Sequence, residues 1–108
     1  MLQIFAVNPH KRIRNSVSPL FNKKYLHSGD DLNNCRQPGV YYCHTNEIAN
    51  TIQNRPNGLS NRGFLLLVFN ILGDDYTCQM IWRHDTGQKF YRYWDYQMSI
   101  LRPWKQMY

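Results

Sequence analysis

At 108 residues the chain has the length of one domain and enough material to bury a core without metal or disulfide staples. Its eight Tyr, five Phe and three Trp fall mostly after Pro38, so the C-terminal part leans towards β-structure, where aromatic side chains suit a pleated surface. Three cysteines, an odd number, argue against a full disulfide framework.

The net charge of +6 is uneven. Residues 1–27 hold Lys11, Arg12, Arg14, Lys23 and Lys24 with no acid. Residues 28–75 carry three Arg against five acids, and residues 76–108 five bases against Asp85 and Asp95. A basic arm seeks phosphate or an acidic partner surface, or else is solvated or packed on a larger assembly. The longest apolar run, at 64–69, is far shorter than the roughly 20 residues that a membrane span needs, so no membrane insertion is expected. The opening residues place a short apolar stretch before the basic ones, the reverse of a signal peptide, and synthesis in a cytoplasm is expected.

Residues 1–27 read as an extended arm, with one short strand at most, because Pro9 and Pro19 break helices. The polar, turn-forming Ser28-Gly29-Asp30-Asp31 makes a boundary, and residues 28–108 read as a compact β module. Pro38-Gly39 suits a turn that launches a strand over 40–43. Thr45 or Asn46 caps a short helix over 47–54, with Ile48, Ala49 and Ile52 on one face. Asn57-Gly58 marks a turn in the loop that follows. The apolar run at 64–71 reads as a central strand covered on both faces.

Gly73-Asp74-Asp75 turns the chain into an alternating strand over 76–83. On that strand Tyr76, Cys78, Met80 and Trp82 are expected to share one face, with Cys78 inward. Asp85-Thr86-Gly87 is a hairpin turn, residues 90–95 form an aromatic strand, 96–102 form a loop, and Pro103-Trp104-Lys105 closes the module. The order β-α-β-β-β implies an α+β fold, mostly β: an antiparallel meander with one short helix, preceded by the extended arm. Trp82, Trp104 and residues 64–68 are assigned to the core.

Chemistry-bearing motifs are sparse. Cys35, Cys43, His44 and Cys78 lack the close ligand pairs of a structural zinc site, and no metal is expected. Buried cysteines acting as small hydrophobes explain them more simply, although a Cys35–Cys43 bridge stays open. There is no nucleophile elbow, zinc-protease motif or phosphate-cradling loop. Cys43 and His44 are adjacent and so face opposite ways on a strand. No catalytic constellation and no cofactor are read.

Binding fits better. Arg83, Lys89, Arg92 and Arg102 interleave with Trp82, Tyr91, Tyr93, Trp94 and Trp104. Such a surface suits either base stacking beside a basic groove or sugar rings stacked on flat aromatics. Alternation puts Phe90, Arg92 and Trp94 on one face and Tyr91, Tyr93 and Asp95 on the other, so only two or three rings are left for a ligand.

The order of local motifs carries a resemblance. Asp31-Leu32-Asn33 leads to Pro38-Gly39-Val40-Tyr41, a helix ends near Pro56, and Gly63-Phe64-Leu65-Leu66-Leu67-Val68 follows. Then come Gln79-Met80-Ile81-Trp82, Tyr91 with Arg92, and Trp104-Lys105. Over residues 28–108 this resembles the pyocin-knob family, small domains of phage and phage-like tail fibres. The closing motif departs in having Leu101 where a first Trp is usual.

The resemblance implies a non-catalytic tail-fibre or tail-tip protein of a virion. It would bind a host surface glycan or protein, commonly as a homotrimer beside other tail proteins. Ligand contacts are expected at Arg92, Trp94 and Tyr96, with His84 and Asp85 in the adjacent hairpin loop. The alternatives are a minor tail or baseplate subunit docking through the basic arm, and a single-strand nucleic-acid binder.

Overall fold

The computed structural model describes residues 23–70, 76–83 and 85–108. Among them, seven strands form one sheet: β1 (Lys23–Tyr25), β2 (Gly39–Cys43), β3 (Phe64–Asn70), β4 (Thr77–Trp82), β5 (Lys89–Asp95), β6 (Ile100–Leu101) and β7 (Lys105–Gln106). Strands β2 to β5 form the expected antiparallel meander, with Leu66 opposite both Tyr41 and Ile81, and Phe90 opposite Ile81. Beyond β5 the edge is shared: β6 pairs with Trp94 and Asp95, and β7 with Phe90 and Tyr91.

Strand β1 lies parallel to β2, with Tyr25 opposite Tyr42. Lys23 and Lys24, placed in the arm by the sequence, therefore lie in the sheet. Lys24 Nζ donates to Gln37 Oε1 at 3.1 Å, and Leu26 just after β1 is buried. Lys11, Arg12 and Arg14 lie outside the described residues.

The helix α1 spans only Asn46–Ala49. Thr45 caps it as expected, its hydroxyl accepting from Ile48 N at 3.1 Å. The helix stops before 54 because the following backbone is committed elsewhere. Gln53 N donates to Asp30 O at 2.8 Å, and Gln53 O accepts from Leu32 N at 3.1 Å. These bonds seat the segment 50–54 against the 3-10 turn Leu32–Asn34, both over the same face of the sheet as the core.

That face carries the core: Leu32, Tyr41, Ala49, Ile52, Leu59, Phe64, Leu66, Val68, Ile81 and Phe90. The opposite face is apolar yet only partly buried. Burial alternates along β3, so Leu65 and Leu67 are half-buried and Phe69 is exposed, and this strand is not covered on both faces as expected.

Strand β4 inverts the expected orientation. Thr77, Gln79 and Ile81, with Arg83 just beyond the strand, point inward; Cys78 and Met80 are half-buried, and Trp82 is exposed. Trp82 is thus not core and Cys78 is not inward. The polar set wins the interior because the loop around Leu32 and Cys35 lies over it with carbonyls that need donors. Trp104 packs against the core as assigned.

Residues 96–102 are not a plain loop. Asp95 Oδ1 accepts from Gln97 N and Met98 N at 3.0 and 3.1 Å, and Ser99 takes φ 55°. This closes a tight hairpin that returns the chain to β5 as β6.

Candidate functional site

The motif residues converge on one polar network, buried at Gln79 and Arg92 and open to solvent at Asn33 and Asn54. Asp31 Oδ1 accepts from Asn33 N at 2.8 Å and from Asn54 Nδ2 at 2.6 Å. Leu32 is fully buried beneath. Gln79 Nε2 donates to Leu32 O and Cys35 O at 2.7 and 2.8 Å, and Gln79 Oε1 accepts from Arg92 Nε at 2.7 Å. The Arg92 guanidinium lies 4.4 Å over the Trp104 ring, and Trp104 Nε1 donates to Asn54 O at 2.9 Å. Asn54 takes φ 64°, which turns this loop over the sheet.

Arg92 is therefore an internal strut, only 5% exposed. Burial pushes its pKa down to about 10, with Asp31 and Cys35 opposing. Its Nη2 is buried without a hydrogen-bond partner. Burial likewise lifts the Cys35 thiol to about 11, with Asp30 and Asp31 adding to the shift.

Arg92 lines a cavity of about 420 Å³ with Asn33, Asn54, Trp94 and the turn residues 99–103, Arg102 among them. Trp94 forms one wall, carrying the Arg36 guanidinium 4.1 Å from its ring centre. Arg102 Nη1 lies 3.8 Å from Asp95 Oδ2.

Trp94 also borders a smaller groove of about 160 Å³ with Tyr76, Thr77, Cys78, Tyr91 and Tyr93. Tyr91 and Tyr93 stack at 6.0 Å. Tyr76 and Tyr96 stack at 5.6 Å with ring planes only 3° apart, and both are exposed. Aromatic groove and basic cavity thus meet at one end of β5 along a single tryptophan.

Arg92, Trp94 and Tyr96 are brought into this neighbourhood. Asp85 is not: it sits past the other end of β5, about 20 Å away by strand rise from Lys89 to Asp95. There it pairs with Arg83, which donates from Nε to Asp85 Oδ1 at 3.1 Å and from Nη2 to Oδ2. Arg83 also holds Ser60 Oγ through Nη1. His84 lies outside the described residues. Tyr76, Arg36, Asn33 and Asn54 are the residues of this neighbourhood that the sequence did not single out as contacts. Asn33 alone had a signal, as the third residue of the Asp31-Leu32-Asn33 motif.

The cysteines are free and separately employed. Cys35 Sγ donates to Asp31 O and Cys43 Sγ to Thr45 O. Among the described residues no group of three or more His, Cys, Asp or Glu gathers to hold a metal.

No family model matches the chain, and no curated protein matches it in sequence. Solved structures do match. An R1 pyocin fibre of P. aeruginosa aligns over 89% of this chain with TM-score 0.68 and 24% identity. An N-truncated R2-type pyocin tail fibre aligns over 86% with TM-score 0.68 and 19% identity. An R2 pyocin fibre of P. aeruginosa gives 89%, 0.69 and 20%. The chain spans 24 to 34% of the length of those chains. At these identities the likeness is one of fold: this chain folds like a segment of a pyocin tail fibre.

Proposed function

We propose that the chain is a non-catalytic module of a phage or phage-like tail fibre that binds a glycan on the host surface. The observation that carries this reading is the cluster of Tyr76, Tyr91, Tyr93, Trp94 and Tyr96 around a groove at one end of the sheet. Flat exposed rings give a sugar ring apolar area to cover, and rigid strands hold them in place. The pyocin-fibre fold supports the setting in a virion tail.

The test is binding of the purified chain to intact candidate host cells before and after periodate oxidation of their sugars. Saturable binding that is lost on oxidation supports the reading. Tyr96→Ala is expected to weaken it about tenfold, consistent with the loss of one stacking ring, while leaving the unfolding midpoint unchanged. A folded protein that binds no cells overturns it.

A second reading, a structural tail subunit, is favoured by the sheet face turned away from the core, the face that also carries Tyr91 and Tyr93. Leu65, Leu67, Phe69, Met80 and Trp82 adjoin there through the registers Leu65↔Trp82 and Leu67↔Met80, half-buried or exposed. Such a continuous apolar face suits contact with other copies in a homotrimer or with neighbouring tail proteins. The basic residues of the N-terminal segment would then serve as an assembly tether.

A further inference from the structure

The cavity beside the aromatic groove has a chemistry of its own. Arg92 is buried, yet its Nε bonds only a neutral amide oxygen and its planar face meets only an indole. Its Nη2 has no hydrogen-bond partner. Asp31 acts on it electrostatically, but Asp31 Oδ1 already serves Asn33 N and Asn54 Nδ2. A buried guanidinium left this incompletely answered is costly, and an arriving oxyanion answers it with charge-assisted hydrogen bonds.

The rest of the lining is suited to the same guest. Arg102 adds a second guanidinium, 37% exposed, whose nearest acid is a loose 3.8 Å away. Asn33 and Asn54 line the same space. A volume of about 420 Å³ is of small-molecule size.

We propose that this cavity is a subsite for an anionic substituent of a surface sugar, a carboxylate or a phosphate ester. The inference rests on the glycan-binding reading and gives it a chemical class: acidic rather than neutral saccharide. Trp94, at the end of β5, borders both this cavity and the aromatic groove.

The experiment is a titration of the isotopically labelled chain, followed by the side-chain amide signals of Asn33 and Asn54 and the Nε signal of Arg92. The probes are D-galacturonate, galactose 6-phosphate and uncharged methyl galactoside. At least one acidic probe is expected to shift these signals saturably, about tenfold more tightly than the neutral sugar, the worth of one charge-assisted hydrogen bond. The two acidic probes separate carboxylate from phosphate. Arg102→Gln is expected to remove most of that preference. Lys105→Gln, which alters an exposed cation outside the cavity lining, is expected to leave it intact.

Equal response to all three sugars, or equal loss with Arg102→Gln and Lys105→Gln, overturns the subsite. Neutral sugar binding at Tyr91 and Tyr93 without acidic preference sinks the subsite and leaves the glycan reading standing. Acidic probes that bind while host cells are ignored do the reverse.

Discussion

Gln79 is fully buried and makes three hydrogen bonds, to Leu32 O, Cys35 O and Arg92 Nε. An apolar side chain of similar size fills its space but serves none of them. Gln79→Leu is therefore expected to cost roughly 2–4 kcal/mol, since two buried carbonyls and a charged donor lose their partner together. Urea unfolding followed by tryptophan fluorescence measures it; a loss below the cost of a single hydrogen bond would show that water replaces the amide.

Cys35 gives the pH counterpart. Its pKa rises from 9.0 to about 11 in the fold, chiefly through burial. The unfolded thiol loses its proton first, so stability is intact below pH 9 and falls as pH rises through about 11. Subtracting the stability profile of Cys35→Ala isolates this group from Tyr41 and Arg92, which titrate in overlapping windows. The difference is expected to be flat below pH 9 and to slope only above it.

At the scale of elements, the meander, the Thr45 cap and the Asp85-Thr86-Gly87 hairpin were legible, because each is written in local residues. Gly87 takes φ 76°, with its N–H on Arg83 O, as the turn requires. The face of β4 was not legible. Pattern alone favours the apolar set Cys78, Met80 and Trp82 for the interior, and only the loop from Leu32 to Cys35, 44 to 47 residues away in sequence, decides that Gln79 points inward instead.

The same holds for the site. Trp94 and Tyr96 are visible as exposed-type aromatics, but Tyr76 joins them only once the turn at Asp95 brings Tyr96 over it. Arg92 looked like a surface cation because nothing nearby in sequence announces Trp104 above it. The glycine that opens β3 tells the same story in reverse. A Cβ on Gly63 would stand 2.5 Å from Cys43 O and 3.3 Å from His44 O. These are backbone atoms of the paired strand, with little freedom to move aside. Gly63→Ala is expected to destabilise the domain by about 1–3 kcal/mol, as overpacking does. A midpoint equal to the parent's in thermal melts would mean that β2 and β3 can separate at this end without cost.

The whole molecule is a sheet with unlike faces. Helix α1, the Leu32–Asn34 turn and the segment 50–54 crowd one side, where the core and the buried polar network lie. Val40, Leu65, Leu67, Met80, Cys78 and Tyr91 occupy the other, partly covered, with Phe69, Trp82 and Tyr93 exposed among them. A monomer seldom leaves so continuous an apolar surface in water. Three unlike positions across adjacent strands, Leu67, Met80 and Tyr91, line up through the registers Leu67↔Met80 and Met80↔Tyr91, so the stripe runs across the strands. A second copy offers the same stripe and needs no charge partner, since its residues are uncharged. Self-association through this face is thus expected, and Met80→Glu at its centre is expected to abolish it while leaving the circular dichroism spectrum unchanged. Sedimentation velocity reads the outcome. A parent chain that stays monomeric at tens of micromolar would leave the face free for a different partner; because Tyr91 and Tyr93 belong both to this face and to the aromatic groove, self-association would compete there with any ligand of the groove, whereas the cavity at Arg92 lies on the core side of β5.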